Sequence, residues 1–233
     1  MLILAFDTTS EQGGVAVYRD HQCLASAPGD RNYSVTLFTT VEALLREAGL
    51  RLHDVDLLAV GNGPGSFTGI RVGLAAAQGW AKALGRPARG VSTLEALVEE
   101  AQPQAAVAVP ILDARRGEFY VATFRREGSA SRQSFAPVSG GQLMKPAALR
   151  KLVEGLAASD GRMACVGRSE EPVAPARAAT EELCHWQTVS GTLVHAITRL
   201  ALKAQASGKP FDAGELDAYY IRRSDAELHC TES

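Results

Sequence analysis

Three stretches of the chain carry residue types at spacings suited to chemistry. "DTTS" at Asp7, Thr8, Thr9 and Ser10 sets a carboxylate and three hydroxyls at the end of an apolar run. "GNGPGSFTGIRVG", from Gly61 to Gly73, holds five glycines and one proline in thirteen residues, between the apolar "DLLAV" and the alanine-rich "LAAAQGWAKAL". "DARRGEFY" places Asp113, Arg115, Arg116 and Glu118 around a turn. Strand, glycine loop, helix is the order in which backbone N–H groups cradle phosphate. Both standard phosphate loops nevertheless fail. A P-loop ends in Gly-Lys-Ser/Thr so that its lysine reaches the terminal phosphates, and this loop ends "SFTGIR". A dinucleotide fingerprint needs its third glycine at the sixth position, where "GNGPGS" has Ser66, and Pro64 sits inside the turn. The other reading is a shaped helix start. Gly63 and Gly65 take backbone angles closed to other residues, Pro64 fixes the turn, Phe67 anchors it by packing, and Ser66 or Thr68 caps the helix.

Other catalytic patterns are missing. No HExxH spacing is present for a metallopeptidase. No GxSxG elbow appears either, because two residues separate Ser66 from the next glycine. "DARRGEFY" has two readings, charges that line a cleft or meet a partner, and a solvated hairpin with an internal ion pair. "DTTS" likewise reads as a nucleotide-facing turn or as a polar strand end.

The elements that must position these residues come in two rounds. "LILAF", "GGVAVYR" and "QCLASA" read as strands, with "DH" at the turn between the last two. Leu37, Val41, Leu44 and Ala48 recur at helical spacing, with Gly49 as a stop. A strand, the glycine loop, a helix over 68–84, the strand "ARGVS" and the helix "TLEALVEEA" follow. At Gln102-Pro103 the pattern restarts. "AAVAVPILDA", "GEFYVATFRR", "RQSFAPV" and "MACVG" read as strands, and "PAALRKLVEGLAA" and "TLVHAITRLALKAQASG" as helices. Residues 170–179 and the tail after 225 read as loops. The expected organisation is a first lobe over 1–102 and a second over 103–233, an α/β fold of mixed sheets flanked by helices.

With 233 residues, 46% hydrophobic and 21% charged, and a formal net charge of -2, the chain reads as globular, without the basic footprint of a stand-alone nucleic-acid binder. Cys23, Cys165, Cys184 and Cys230 are far apart in sequence with no CxxC pair, so reduced cytoplasmic thiols are expected. No signal peptide or membrane span is expected.

Two successive halves with "DTTSEQGGVAV" at the first hairpin resemble the actin, hexokinase and heat-shock-protein ATPase (ASKHA) superfamily. The resemblance implies that Asp7 to Ser10 face nucleotide phosphates. More narrowly, "AVGNGPGSFTGIRVGLAAAQGWA" resembles the signature of the TsaB (YeaZ) family. "LILAFDTTSEQGGVAV", "GVSTLEAL", "ILDARRGEFYVATF" and "YYIRRSDAE" follow the same family in the same order. The similarity runs from residue 2 to about 227, and is only in outline over 126–190. The resemblance implies a degenerate relative of the transferase TsaD, acting as a non-catalytic scaffold or activator. Its implied partners are a TsaD homologue and the ATPase TsaE, with tRNA reached through the complex and a threonylcarbamoyl group transferred to the adenosine beside the anticodon. It implies no catalytic residue, metal or cofactor of its own, with ATP or ADP bound in the assembled complex. An active ASKHA small-molecule kinase and a glycoprotease-like peptidase are the alternatives.

TsaD-type metal binding uses two histidines four apart on one helix. His21, His53, His185, His195 and His229 include no such pair. The chain departs from the family pattern at Asn62, where arginine is frequent, and at Tyr33, where histidine is frequent. The helix after the glycine loop carries one stripe suited to a sheet (Ile70, Leu74, Ala77, Ala81, Leu84) and a second of smaller residues (Val72, Ala76, Gly79, Ala83). The second stripe meets either the neighbouring helix around Leu37, Val41 and Leu45 or, as the resemblance implies, a partner. The implied seam joins both helices to TsaD, or to a second copy when TsaD is absent.

Overall fold

The computed structural model describes residues 1–30, 32–128, 134–161, 163–169, 172–208 and 216–222. The chain is α/β, with two five-stranded mixed sheets of the same topology. Strands β1 (Leu2–Asp7), β2 (Gly14–Arg19), β3 (Gln22–Pro28), β4 (Leu57–Gly63) and β5 (Ala88–Ser92) form the first, in the order β3-β2-β1-β4-β5. Strands β6 (Val107–Asp113), β7 (Phe119–Glu127), β8 (Ser134–Met144), β9 (Met163–Arg168) and β10 (His185–Val189) form the second, in the order β10-β9-β6-β7-β8. In each, the first three strands are antiparallel neighbours, and the last two run parallel to the first. This doubling is the two-lobed ASKHA-like arrangement.

The helices are α1 (Tyr33–Glu47), α2 (Phe67–Leu84), α3 (Thr93–Ala101), α4 (Pro146–Asp160), α5 (Ala174–Thr180) and α6 (Val194–Ala206). The central strands are buried on both faces, so they read as continuous apolar runs. On β1, Ile3 and Ala5 point to one core while Leu4 and Phe6 point to another. Leu4 and Phe6 meet Leu37, Val41, Leu44 and Leu45 of α1 and Ile70, Leu74 and Ala77 of α2. On the second sheet, Val107, Val109 and Ile111 meet Leu149 and Val153 of α4. Between the sheets lie α3 and α6, whose Leu94, Leu97, Val194 and Ile197 share one core with Ala108 and Leu112. Although α6 follows the second sheet in the chain, it packs on β1, β2, β4 and β5.

Local signals account for most boundaries. Gly49 ends α1 at φ 69°, and Asp20 takes the hairpin turn at φ 52°. Of residues 170–179, expected as a loop, 174–179 belong to α5, which ends at Thr180. Pro175 stands in its first turn, where a missing N–H does no harm, and Ala176 and Thr180 are buried. Strand β10 lies outside the expected strands, since "HWQTV" is short and its apolar and polar residues do not alternate. The tail after 225 lies outside the described residues. Among the described residues, no helix is long and apolar enough to cross a membrane.

Candidate functional site

Strands β1, β4, β6 and β9 all end on the same side, and the segments after them enclose a cleft of about 960 Å³ between the lobes. Ligands of open parallel sheets sit at such carboxyl ends. Thr8, Thr9 and Ser10 form one wall and Asp113 and Arg115 the other, with Arg168 at the base. The Arg168 side chain is wholly buried and donates to the carbonyls of Gly191, at 2.5 Å, and Gln12, at 3.3 Å.

Asp7 lies behind this wall, fully buried. Its Oδ1 accepts from the Thr9 backbone N–H at 2.9 Å and from the Thr9 hydroxyl at 2.7 Å. The Thr8 hydroxyl donates to the Gly69 carbonyl at 2.7 Å. Three of the four polar groups of "DTTS" therefore hold the turn and helix α2 together, although Thr8, Thr9 and Ser10 still border the cleft. Asp7 Oδ2 and Ser10 Oγ are buried with no hydrogen-bond partner among the described residues.

The glycine loop explains this bonding. Only Gly63 has the left-handed backbone, at φ 107°. Gly65, expected to share it, does not, and is needed for a different reason. A Cβ there would lie 2.4 Å from the Thr9 carbonyl oxygen. At Gly69 it would lie 1.9 Å from the Thr8 carbonyl oxygen, and at Gly73 2.4 Å from the Thr8 hydroxyl. These glycines are four residues apart, so the helical pair shares one face. They let the start of α2 lie directly on the turn after β1. The Ser66 backbone N–H donates to Thr9 O at 2.7 Å, and the Ser66 hydroxyl caps α2 by accepting from Gly69 N–H at 3.3 Å. Pro64, joined to Gly63 by a cis peptide, lines the cleft. Thr68 is exposed at the cleft and does not provide the cap. Among the described residues, no group of three His, Cys, Asp or Glu side chains is placed to hold a metal ion.

Across the cleft, Arg115 and Arg116 both adopt left-handed backbone, at φ 63° and 58°. Side chains with Cβ rarely take that region, and such strain concentrates at functional sites. Asp113 Oδ1 steadies the turn by accepting from Arg115 N–H at 3.0 Å. Glu118 pairs with Arg222, which also donates to the Ala114 carbonyl at 2.8 Å. The hairpin is thus tied to Arg222, 104 residues further along the chain than Glu118, an arrangement that sequence reasoning missed.

Residues 216–222 run as a strap from one lobe to the other. Leu216 enters the core of the first lobe, and its carbonyl accepts from Gln78 at 2.9 Å. Asn62 donates to the Asp217 carbonyl at 3.3 Å, while Tyr219 N–H donates to Asn62 O at 2.8 Å. On the far side, Gly141 N–H donates to the Tyr219 hydroxyl at 2.5 Å. The Tyr220 ring lies 5.1 Å from that of Phe67, and Arg71 stands 3.8 Å over Phe67 while donating to the Tyr220 hydroxyl at 3.0 Å. "YYIRR" was visible in the sequence, but nothing there indicated that it bridges. Both ends of the Arg222–Glu118 pair are largely buried, at 20% and 24% exposure. Arg222→Ala should therefore lower stability by about 2 kcal/mol. Adding Glu118→Ala should cost much less than a second such loss. Urea midpoints of the two single variants and the double variant check this, and strict additivity would show that the pair does not hold the strap.

The two departures from the family pattern acquire roles here. Asn62 anchors the strap. Tyr33 is buried, and its hydroxyl donates to Ser10 O at 3.0 Å. Burial, with the Asp7 charge adding to it, pushes the phenol well above its ordinary range.

The partner stripe is corrected by burial. Leu37, Val41 and Leu45 are 1–3% exposed and Ala76 5%, and all four lie in the first lobe's own core in this fold. Val72 is half-buried, while Gly79 and Ala83 are exposed, with nothing within 4 Å of a Gly79 Cβ. The apolar groups that α1 does present outward are Val35 and Phe38, 67% and 55% exposed. Phe38 makes a T-shaped contact with Trp80, their ring centres 5.1 Å apart, and Gly79 precedes Trp80 on α2.

This geometry has known counterparts. Over 130 residues the chain is 38% identical to the tRNA threonylcarbamoyladenosine biosynthesis protein TsaB of Escherichia coli, covering 54% of this chain and 56% of that protein. It is 34% identical over 127 residues to TsaB of Bacillus subtilis, with 54% and 56% covered. The matched stretch thus spans about half the length of these curated relatives. The solved structure of YeaZ from Pseudomonas aeruginosa superposes with a TM-score of 0.73 at 25% identity, covering 94% of this chain and 99% of that one. Residues 27–208 match the family described as "TsaD: tRNA N6-adenosine threonylcarbamoyltransferase". The chain belongs to the TsaD family. Its curated and structural likenesses place it in the TsaB (YeaZ) group of that family. The TsaB resemblance in the glycine loop therefore marks the close packing of α2 on the β1–β2 turn.

Proposed function

We propose that this chain is a non-catalytic scaffold and activator in tRNA threonylcarbamoyladenosine biosynthesis. It works with a TsaD homologue and a TsaE homologue, reaches tRNA through them, and pairs with a second copy of itself when TsaD is absent. The carrying observation is the outward surface of α1 and α2, on which Val35 and Phe38 of α1 and Gly79 and Ala83 of α2 are exposed and Phe38 packs against Trp80. An exposed aromatic and exposed small residues on a paired-helix surface suit close packing with helices of another protein. The curated relatives named for this biosynthesis support the process assigned. The wall of the cleft supports the non-catalytic half of the proposal, since Asp7, Thr8 and Thr9 are engaged in holding α2. ATP or ADP is then bound in the assembled complex rather than as this chain's own cofactor.

The kinase alternative requires an acidic base facing an acceptor. Asp7, the carboxylate at the end of β1, is wholly buried and bonded to Thr9. The peptidase alternative has no specific observation in its favour. The test is turnover by the purified chain, alone and reconstituted with the TsaD and TsaE homologues of the same organism. The expected result is no ATP hydrolysis and no threonylcarbamoyl transfer alone, with transfer restored on reconstitution. Turnover by the lone chain at the rate of the mixture would overturn the proposal.

A further inference from the structure

The cysteines, far apart in sequence, are not all apart in space. Cys165 on β9 and Cys184 just before β10 bring their sulfurs within 3.0 Å, in hydrogen-bond contact. Strands β9 and β10 are parallel neighbours in which Ala164 pairs with His185 and Cys165 with Trp186, so the two cysteines are diagonal across one ladder. Both are reduced. Their surroundings differ. Cys165 is wholly buried against Val107, Ile111 and Val173, whereas Cys184 is partly exposed, with its sulfur 3.3 Å from the Thr180 carbonyl. One thiol can meet a reagent from solvent, and the other can be reached only through the first.

We propose that Cys165 and Cys184 form a dithiol–disulfide couple whose oxidant is a hydroperoxide. The Cys184 thiolate attacks the terminal peroxide oxygen and the O–O bond breaks. The remaining oxygen leaves and is protonated to an alcohol, or to water from hydrogen peroxide, and Cys184 becomes a sulfenic acid. The Cys165 sulfur then attacks the Cys184 sulfur. The S–S bond forms, hydroxide leaves, and it takes the Cys165 proton to become water. Two electrons have passed from the sulfurs to the peroxide. The sulfurs need close by only about 1 Å to reach bonding distance.

The assignment of roles follows exposure and is reinforced by the local chemistry. The contact with Cys165 holds the Cys184 thiol below its ordinary range, while the same contact and burial push Cys165 up. The accessible sulfur is thus the better nucleophile and the buried one its resolving partner. A disulfide there would staple the turn after α5 to β9, three residues before Arg168 at the base of the cleft.

The experiment treats the full wild-type chain with hydrogen peroxide in stoichiometric steps and maps thiols by peptide mass spectrometry, with Trp186 fluorescence as a second readout. The expected result is one linked peptide pair joining Cys165 to Cys184. It is lighter than the reduced pair by two hydrogen atoms, reversed by dithiothreitol, and formed before Cys23 or Cys230 reacts. In Cys165→Ser, dimedone should capture Cys184 as the sulfenic acid. In Cys184→Ser, Cys165 should stay reduced. The wild-type map decides the matter even where a buried serine impairs folding. Retention of both thiols when Cys23 is already oxidised would overturn the proposal. So would over-oxidation of Cys184 with Cys165 intact, or linkage of either cysteine to another.

Discussion

Gly69→Ala should lower the melting temperature by roughly 10 °C, corresponding to about 3 kcal/mol of lost stability. Adding a methyl group in mid-helix is ordinarily favourable by about 0.5–1 kcal/mol, because alanine loses less backbone entropy than glycine. At Gly69 the sign reverses, since the new carbon would lie 1.9 Å from the Thr8 carbonyl oxygen. That oxygen is backbone, so the collision cannot be relieved by turning a side chain. Either α2 lifts from the first sheet or the turn after β1 shifts, and each breaks the bond from the Thr8 hydroxyl to Gly69. Gly79→Ala is the control on the same helix, where open space surrounds the added carbon. It should melt at or slightly above the wild-type temperature. Scanning calorimetry of both variants checks the pair. Equal melting temperatures would mean that the close approach of α2 does not support the fold.

Gly79→Arg should reduce association with the TsaD homologue about a hundredfold, or about 3 kcal/mol, while the isolated chain melts normally. An arginine at this exposed position costs the free protein little. In a close helix–helix seam the same side chain must either be buried without a partner or hold the helices apart. Ala76→Arg, one turn earlier, should behave differently. Ala76 is core, and an arginine there should collapse the first lobe. Pull-down and thermal melting of both variants separate the outcomes. Undiminished capture by Gly79→Arg would place the partner on another face. Phe38→Ala tests the same seam from α1, and should weaken association without the repulsion that arginine adds.

The contrast between Gly79 and Ala76 shows where the sequence was legible and where it was not. Periodicity identified both helices, because a stripe such as Leu37, Val41 and Leu44 must face something apolar. It could not say whether that something was the chain's own sheet or another protein, and burial answers for the sheet. The surface that is free, Val35 and Phe38, falls outside every regular stripe and gave no periodic signal. The glycine loop was legible as a constrained turn, yet its reason was only half visible. Gly63 needs a left-handed backbone, whereas Gly65, Gly69 and Gly73 need absence of bulk, and that depends on Thr8 and Thr9 more than fifty residues earlier. Long-range contacts hid the remaining features in the same way. The Cys165–Cys184 contact spans 19 residues, and the Arg222–Glu118 pair spans 104. Helix α5 was hidden by composition, since proline and alanine read as loop until a buried face at Ala176 is known.

Helix α6 completes the inner face of the first sheet, which α3 covers in part, yet it is made only after the whole second sheet. While the chain is being synthesised, β1, β4 and β5 emerge with one side covered by α1 and α2 and the other covered only in part, by α3 on β4 and β5, until residues 194–206 leave the ribosome. Until then the nascent protein carries an incompletely covered apolar sheet face bearing Ile3, Ala5, Leu57 and Ala59. Such a face invites chaperones, or aggregation when they are scarce. The first sheet, for all its complete set of strands, therefore completes its inner core only when α6 has joined it.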